Sequence, residues 1–376
     1  MTTTLSRIFL AGFRSIERMD IPLGRTTVLI GPNGAGKSNL LSFLQLVPRL
    51  RTQSLRLFVG QAGGSRSLLH QGVQRYSEIG FRLEATTGDG DHTAYVGTLG
   101  AAAGDTLVFL DERVEERRAG SFSFVGKALG SGHNESQLLP CSKNPAFRPA
   151  SVVSDWVAQI GFFHFHDTSF MAPLRTNSRQ EDDRALRADG GNLAAYLYRL
   201  ATSSREVDQA AFARITSLVQ RIAPFVKTLE PRLIAPELGP RSAVALFWTN
   251  VNDVPFAVHH FSDGTLRAIA LFTALAQPAD HLPAFIAIDE PELGLHPAAL
   301  ALFVSLVRSV ADRCQVFLAT QSPALLDHFR PEEVVVAEAP NGVSTFKRLD
   351  AAELETWLED YRLSDLYDKN VLGGRP

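Results

Sequence analysis

The chain has 376 residues, 45% of them hydrophobic and 20% charged, which is ordinary globular composition and enough length for two or three domains. Lys plus Arg (37) against Asp plus Glu (40) leaves a formal charge of −3, excluding a globally basic nucleic-acid coat but not a local basic patch. The two cysteines, Cys141 and Cys314, lie far apart, with no zinc spacing and no disulfide framework, as a reducing cytosol permits.

The N-terminal segment alternates polar and apolar residues and lacks the apolar run and cleavage site of a signal peptide. No stretch approaches the ~20 apolar residues that span a bilayer, so a cytoplasmic protein without a membrane partner is expected. Residues 5–13 and 26–30 read as strands, the second a short β-branched run that stops at Gly31. A helix is expected from near Lys37, through Leu40, Leu41, Phe43 and Leu44, ending before Pro48. Between Glu78 and Val114, alternating runs separated by Gly/Asp-rich turns predict an antiparallel β lobe. Residues 119–148, rich in Gly, Ser and Asn, predict a loop. From about residue 190 to 229 two apolar stripes predict helices, one on Leu193, Tyr196, Leu197 and Leu200, the other on Phe212, Ile215, Leu218, Val219 and Ile222. After His259 the chain returns to α/β order, with a helix over 265–276, a strand over 284–288, a helix over 297–310 and a strand over 315–320. Leu354, Trp357, Leu358 and Tyr361 stand at helical spacing and predict a terminal amphipathic helix packed on its own domain. There is no internal repeat and no long heptad run.

The segment GPNGAGKS, residues 31–38, fits G-x-x-x-x-G-K-[ST], with a strand before it and a helix after it. Glycines let such a loop wrap closely, so that backbone N–H groups point at phosphate oxygens, and the following helix aims its positive end at the same place. Pro32 has no N–H, so the donors come from Asn33, Gly34, Ala35, Gly36 and Lys37, with Ser38 and Asn39 opening the helix. Lys37 is the ammonium for the β- and γ-phosphates of ATP, and the Ser38 hydroxyl is a ligand for Mg²⁺. A buried strand ending in Asp289 and Glu290 supplies the carboxylates. Asp289 suits the Mg²⁺ shell, and Glu290 suits a base that activates water; Glu292 is the weaker candidate.

Three further segments narrow the class: FSDGTLR (261–267), DEPELGLHP (289–297) and LATQSP (318–323). Their order resembles the ABC-type ATPases of the SMC/RecF/OLD group rather than the transport ATPases. FHFHDTS (163–169), LRADGGNLAAYLYRL (186–200) and the terminal WLEDYRL and VLGGRP look like the bacterial predicted ATPases of the AAA_21 kind. The resemblance covers nearly the whole chain. It implies an α/β, P-loop NTPase fold like an ABC or SMC head, with an antiparallel β lobe and a helical insertion. The expected organisation is a discontinuous ATPase core at 1–50 and 255–376, a β lobe at 51–150 and a mainly helical insertion at 151–254.

The resemblance also implies that Ser262 and Gly264 contact the γ-phosphate bound to a second copy, so that two ATPs are sandwiched in a head-to-tail homodimer or a higher even oligomer. A Ser hydroxyl and N–H groups at a helix start are suitable anion donors, and the same serine is a good N-cap. Arg14 and Ser15, after the first strand, are implied to lie beside the nucleotide. The switch position, usually His in this group, is Gln321 here. An amide can hydrogen-bond a γ-phosphate or position water but carries no proton, which fits slow turnover and long-lived ATP-bound dimers.

The implied function is an ATP-binding and hydrolysing switch in DNA repair or anti-phage defence, gating DNA or an effector such as a nuclease. OLD proteins carry a Toprim nuclease after the ATPase, but only 55 residues follow Gln321, so a nuclease is expected as a separate chain. The lack of heptads argues against SMC-type coiled-coil arms. A transporter motor is disfavoured by the SDG loop and by Gln321. A pure binding module is disfavoured by the intact Lys37, Ser38, Asp289 and Glu290. His164, His166 and Asp167 invite a metal reading, but Thr168 stands where the longer metallo-hydrolase pattern has His, so a hydrogen-bonded structural role is expected. His133, Asn134 and Glu135 are candidates for a surface turn or for a face toward nucleotide or partner.

Overall fold

The computed structural model describes residues 3–72, 75–234 and 242–374. Two compact units emerge, one of Met1–Gly161, Ala284–Ala287 and Gln315–Pro376, the other of Phe162–Pro283 and Ile288–Cys314.

The first unit opens with a hairpin, β1 (Thr4–Phe13) and β2 (Ile16–Pro22), turned at Arg14 and Ser15 with Arg14 at a φ of 49°. β3 (Thr26–Ile30) is buried along its whole length and runs into the glycine loop and α1 (Lys37–Arg51). After α2 (Leu55–Gln61), the strands β4 (Glu78–Thr86), β5 (His92–Ala102), β6 (Thr106–Arg117) and β7 (Val125–Gly130) complete an antiparallel sheet ordered β2-β1-β4-β5-β6-β7. Alternating burial along β4, with Ile79, Phe81, Leu83 and Ala85 inside, is the period-two pattern that fixes its register. A chain of rings joins α1 to this sheet: Phe13–Phe43 at 5.9 Å, Phe43–Phe81 at 5.8 Å and Phe81–Tyr95 at 5.2 Å between centroids. Truncating such a buried ring to Ala costs about 3–5 kcal/mol. The helices α3 (Leu138–Ser142) and α4 (Arg148–Ala158) lead to β8 (Ile160–Phe163).

In the second unit β9 (Ser178–Arg179), β10 (Val226–Ile234), β11 (Ala243–Asn250) and β12 (Pro255–Ala257) form a small sheet in which β11 pairs with β9, β10 and β12. The helices α5 (Leu193–Thr202) and α6 (Glu206–Ile222) precede β10, and α7 (Asp263–Ala276) follows β12. Every residue of α7 from Leu266 to Ala276 is buried, so this helix is surrounded on all sides. β13 (Phe285–Asp289) and α8 (Pro297–Val310) carry the acidic segment.

The chain then supplies β14 (Gln315–Thr320), α9 (Pro323–Leu326), β15 (Val334–Glu338), β16 (Thr345–Arg348), α10 (Ala351–Leu358) and α11 (Leu363–Asp368). A six-stranded sheet results, ordered β16-β15-β3-β14-β13-β8. β3 is parallel to both β14 and β15, with Thr320 opposite Ile30 and Val336 opposite Ile30. The buried Gln315 side chain knits β14 to β1: it accepts from the Leu5 N–H at 2.6 Å and donates to the carbonyls of Leu5 and Gly24 at 2.8 and 2.9 Å.

Several local expectations are corrected. α1 does not end before Pro48 but runs to Arg51, because Leu46, Val47 and Leu50 are fully buried and their burial outweighs the hydrogen bond that proline cannot make. The loop expected over 119–148 contains β7, α3 and the start of α4. The terminal helix is two: α10 stops at Leu358, leaving Tyr361 outside it. His164 and His166, whose alternation reads as one face of a strand in the sequence, lie just beyond β8, which stops at Phe163. His133 and Glu135 are not a plain surface turn, because both side chains are tied to the rest of their unit. His133 Nε2 lies 2.8 Å from the carboxylate of the fully buried Glu112, which also accepts from Tyr95 Oη (2.6 Å), Ser136 Oγ and the Gln137 N–H (2.8 Å). Glu135 accepts the N–H groups of Leu55 and Arg56 at 2.8 and 3.1 Å and so closes the start of α2. Burial and the Glu112 charge hold the Tyr95 phenol well above its ordinary value. Among the described residues no helix is long and apolar enough to cross a membrane.

Candidate nucleotide-binding site

The first unit brings the glycine loop, the start of α1 and the β1–β2 turn into one corner. Gly34 and Gly36 have φ of 81° and 100°, a region that side chains rarely enter, and an added Cβ at Gly36 would strike the Ser344 side chain. The loop folds on itself, with Ala35 N–H donating to Pro32 O at 3.2 Å. The first intrahelical donors of α1 are Asn39 and Leu40, both to Gly36 O, so the N–H groups of Lys37 and Ser38 precede the ladder at the positive end of the helix dipole. The first turn of α1 has no acidic residue to compete for an anion site. Lys37 is 6% exposed, and its ammonium donates to the carbonyls of Gly31 and Pro32 at 2.7 and 2.9 Å. Asn33, Gly34 and Ser38 are exposed.

The hairpin turn expected beside the nucleotide packs on this helix. Arg14 Nη1 donates to Asn39 Oδ1 at 3.4 Å, and Asn39 Nδ2 donates to Ser15 Oγ at 2.6 Å. Ser15 Oγ in turn lies 2.6 Å from Ser344 Oγ. Burial lowers the Arg14 pKa from its ordinary value. Because Thr320 is paired in parallel with Ile30, Gln321 leaves the sheet at the same edge as Gly31. The corner therefore suits a polyphosphate: a buried cation, glycine-shaped backbone and an exposed Ser38 hydroxyl stand together.

The second unit gathers the other predicted residues. Ser262 is the N-cap of α7 and accepts from the Thr265 N–H at 3.3 Å. Gly264 leaves no room for a side chain, since a Cβ there would strike the carbonyl of Gly294 in the DEPELGLHP segment. Asp289 ends β13, and Glu290 follows with a φ of 43°, a left-handed conformation that glutamate rarely takes. His166 Nε2 lies 3.1 Å from the carbonyl of Asp289 and 3.9 Å from its carboxylate. Arg267 ties these parts together. Its Nε donates to Phe165 O at 2.7 Å, Nη2 to His166 O at 2.9 Å, and Nη1 to Leu293 O. Burial lowers the Arg267 pKa, opposed by the charges of Asp263 and Glu290. His164 is likewise pushed down, by burial and then by the charge of His166. Among the described residues no group of three or more His, Cys, Asp or Glu side chains is arranged to hold a metal ion.

A family profile described as "AAA domain, putative AbiEii toxin, Type IV TA system" matches residues 26–139 and 148–327. The chain belongs to this AAA_21 family. It is 24% identical over 388 residues to an OLD nuclease of Thermus scotoductus, covering 97% of this chain and 68% of that relative. Two SMC head structures share its fold. One is an Smc head with an extended coiled coil, bound to the C-terminal domain of ScpA, derived from Pyrococcus furiosus (TM-score 0.57, 14% identity, 95% of this chain and 99% of that one). The other is an SmcHead bound to the C-winged helix domain of ScpA (TM-score 0.56, 15% identity, 94% and 99%). The chain is thus an AAA_21 ATPase of the SMC/RecF/OLD type, with an SMC-head-like α/β fold that implies nucleotide binding.

Sequence reasoning missed Ser344, Arg175 and the parts played by Arg267 and His166. Ser344 sits between β15 and β16 with no local signal. Arg267 lies inside a segment that sequence singles out, but its partners Phe165 and His166 are 102 and 101 residues away, where no spacing rule reaches.

Proposed function

We propose that this AAA_21 ATPase is an ATP-hydrolysing molecular switch that closes head to tail with a second copy around two ATP molecules. Asn33 to Asn39 and Arg14 bind the nucleotide, with Lys37 as the cation for the β- and γ-phosphates. Ser38 and Asp289 are the residues that would hold Mg²⁺, which when bound neutralises phosphate charge. Glu290 takes the proton from the attacking water, a contribution typically worth about 10²–10⁴ in rate. Gln321 orients that water without accepting a proton. Ser262 and Gly264 serve the nucleotide of the other copy.

The observation that carries this reading is the pairing, in one chain, of a glycine-shaped phosphate loop with a second exposed anion-donor loop, the capped start of α7. Size-resolved light scattering of Glu290→Gln protein with and without ATP tests it. ATP-dependent dimerisation is expected, and it should vanish in Lys37→Ala protein; if the two proteins behave alike, the sandwich is wrong.

We further propose a cytoplasmic role in DNA repair or anti-phage defence, gating DNA or an effector protein. Stimulation of ATP hydrolysis by DNA, weakening as salt rises, is the expected sign of phosphate contacts. The likeness to an OLD nuclease favours a second form of this reading, in which the chain is the ATPase part of a system whose nuclease is a separate protein. Metal-dependent DNA cleavage only after a co-purified chain is added would support that form. Cleavage by the chain alone would contradict it.

A further inference from the structure

The start of α7 is held by a residue far from it in sequence. Ser262 and Asp263 are exposed, so hydrophobic burial cannot fix this loop. Arg175 is 5% exposed, and all five of its N–H donors are directed at backbone or carboxylate oxygens. Nε donates to Thr168 O at 2.9 Å. Nη1 donates to Val258 O at 3.1 Å and to Phe261 O at 3.2 Å. Nη2 donates to Phe261 O at 3.2 Å and to Asp263 Oδ1 at 2.7 Å. Phe261 is pinned from its other side, its ring stacked on Trp248 with centroids 4.8 Å apart.

A buried guanidinium is a poor device for stability alone. Its desolvation is costly, and apolar residues of similar size often stabilise a fold better. What a five-donor fork supplies is geometry, because it fixes several acceptors at set positions at once. Here four of the five bonds end on the segment that immediately precedes and opens α7. Asp263 has a matching reason to be an acid: its carboxylate completes the fork, while its place in the first turn of α7 suits the helix dipole.

We infer that Arg175 is the positioning residue for the Ser262–Gly264 loop, setting its backbone so that Ser262 meets the phosphate of a nucleotide held by a second copy. The inference rests on the head-to-tail reading above. Arg175 acts through Phe261 and Asp263 and touches no nucleotide itself.

The test uses the full chain carrying Glu290→Gln, with Mg-ATP, and adds Arg175→Lys or Asp263→Ala. Lysine keeps the charge but cannot form the fork. Alanine at the exposed Asp263 removes the acceptor of one fork bond, so its folding is not in question if the lysine variant fails to fold. Three quantities are read: ATP affinity at low protein concentration, ATP-driven dimerisation by light scattering across protein concentrations, and the thermal midpoint. Dimerisation is expected to weaken about tenfold or more, the size of losing a hydrogen bond to a charged group. ATP affinity should stay within about twofold, as for sites that share no partner. The inference is overturned if Asp263→Ala dimerises like its parent, or if ATP affinity, dimerisation and thermal midpoint all fall together, which marks a merely structural role. If the parent itself shows no ATP-linked dimer, the head-to-tail reading fails and takes this inference with it.

Discussion

The phosphate loop and the start of α7, the two loops proposed to meet phosphate, both stand at a helix N-terminus, yet they are shaped in opposite ways. The first is set by its own residues: Lys37 bonds carbonyls five and six positions back, and two left-handed glycines give the turn. The second is set from outside, by Arg175 reaching acceptors 83 to 88 residues away and by the Gly294 carbonyl against Gly264. A loop shaped locally can be read as a motif. A loop shaped by distant buried cations shows only its exposed residues in the sequence, not what aims them.

The sharpest test of this contrast is a pair of alanines. At Gly36 the left-handed φ and the Ser344 side chain both exclude a Cβ. Gly36→Ala is therefore expected to lower ATP affinity by about a hundredfold, the scale of losing preorganised donors. At Gly264 only the Gly294 carbonyl stands in the way, and on the head-to-tail reading Gly264 serves the nucleotide of the other copy. Gly264→Ala should leave ATP affinity unchanged and abolish ATP-driven dimerisation. Equilibrium binding of a fluorescent ATP analogue separates the two. A Gly264→Ala protein that binds ATP as weakly as Gly36→Ala would erase the distinction between the loops.

The same contrast explains what sequence could and could not reveal. β3, α8 and β14 appear where periodicity places them, because short fully buried strands and one-sided helices carry their own pattern. The continuation of α1 past Pro48 was hidden, because burial of Leu50 is a tertiary fact that overrides a local rule. The pairing of β7 with β6 was hidden among glycines and serines, since an edge strand needs no apolar alternation. His133 looked like a loop residue because its partner, the buried Glu112, is 21 positions away.

A smaller effect is expected at Glu290, where the proposed catalytic role and the backbone preference conflict. Its φ of 43° is a conformation that Asn tolerates better than Glu. Glu290→Asn should remove ATP turnover while raising thermal stability by up to about 1 kcal/mol, the lower end of what such strain stores. A loss of stability in calorimetry would mean that the side chain, not the backbone, dominates the energetics there.

Ser262 gives the smallest change in stability and the finest separation of roles. As an N-cap, its replacement by Ala should cost about 1 kcal/mol, and by Gly only a few tenths. Asp caps as well as Ser, so Ser262→Asp should melt within a few tenths of a kcal/mol of the parent. A carboxylate facing a phosphate is repelled, however, so the same variant should lose ATP-driven dimerisation in the Glu290→Gln background. Capping and phosphate recognition then move independently, one in the melting curve and the other in light scattering. If Ser262→Asp still dimerises with ATP, the serine is only the cap of α7, and the likeness between the two helix starts ends at their geometry.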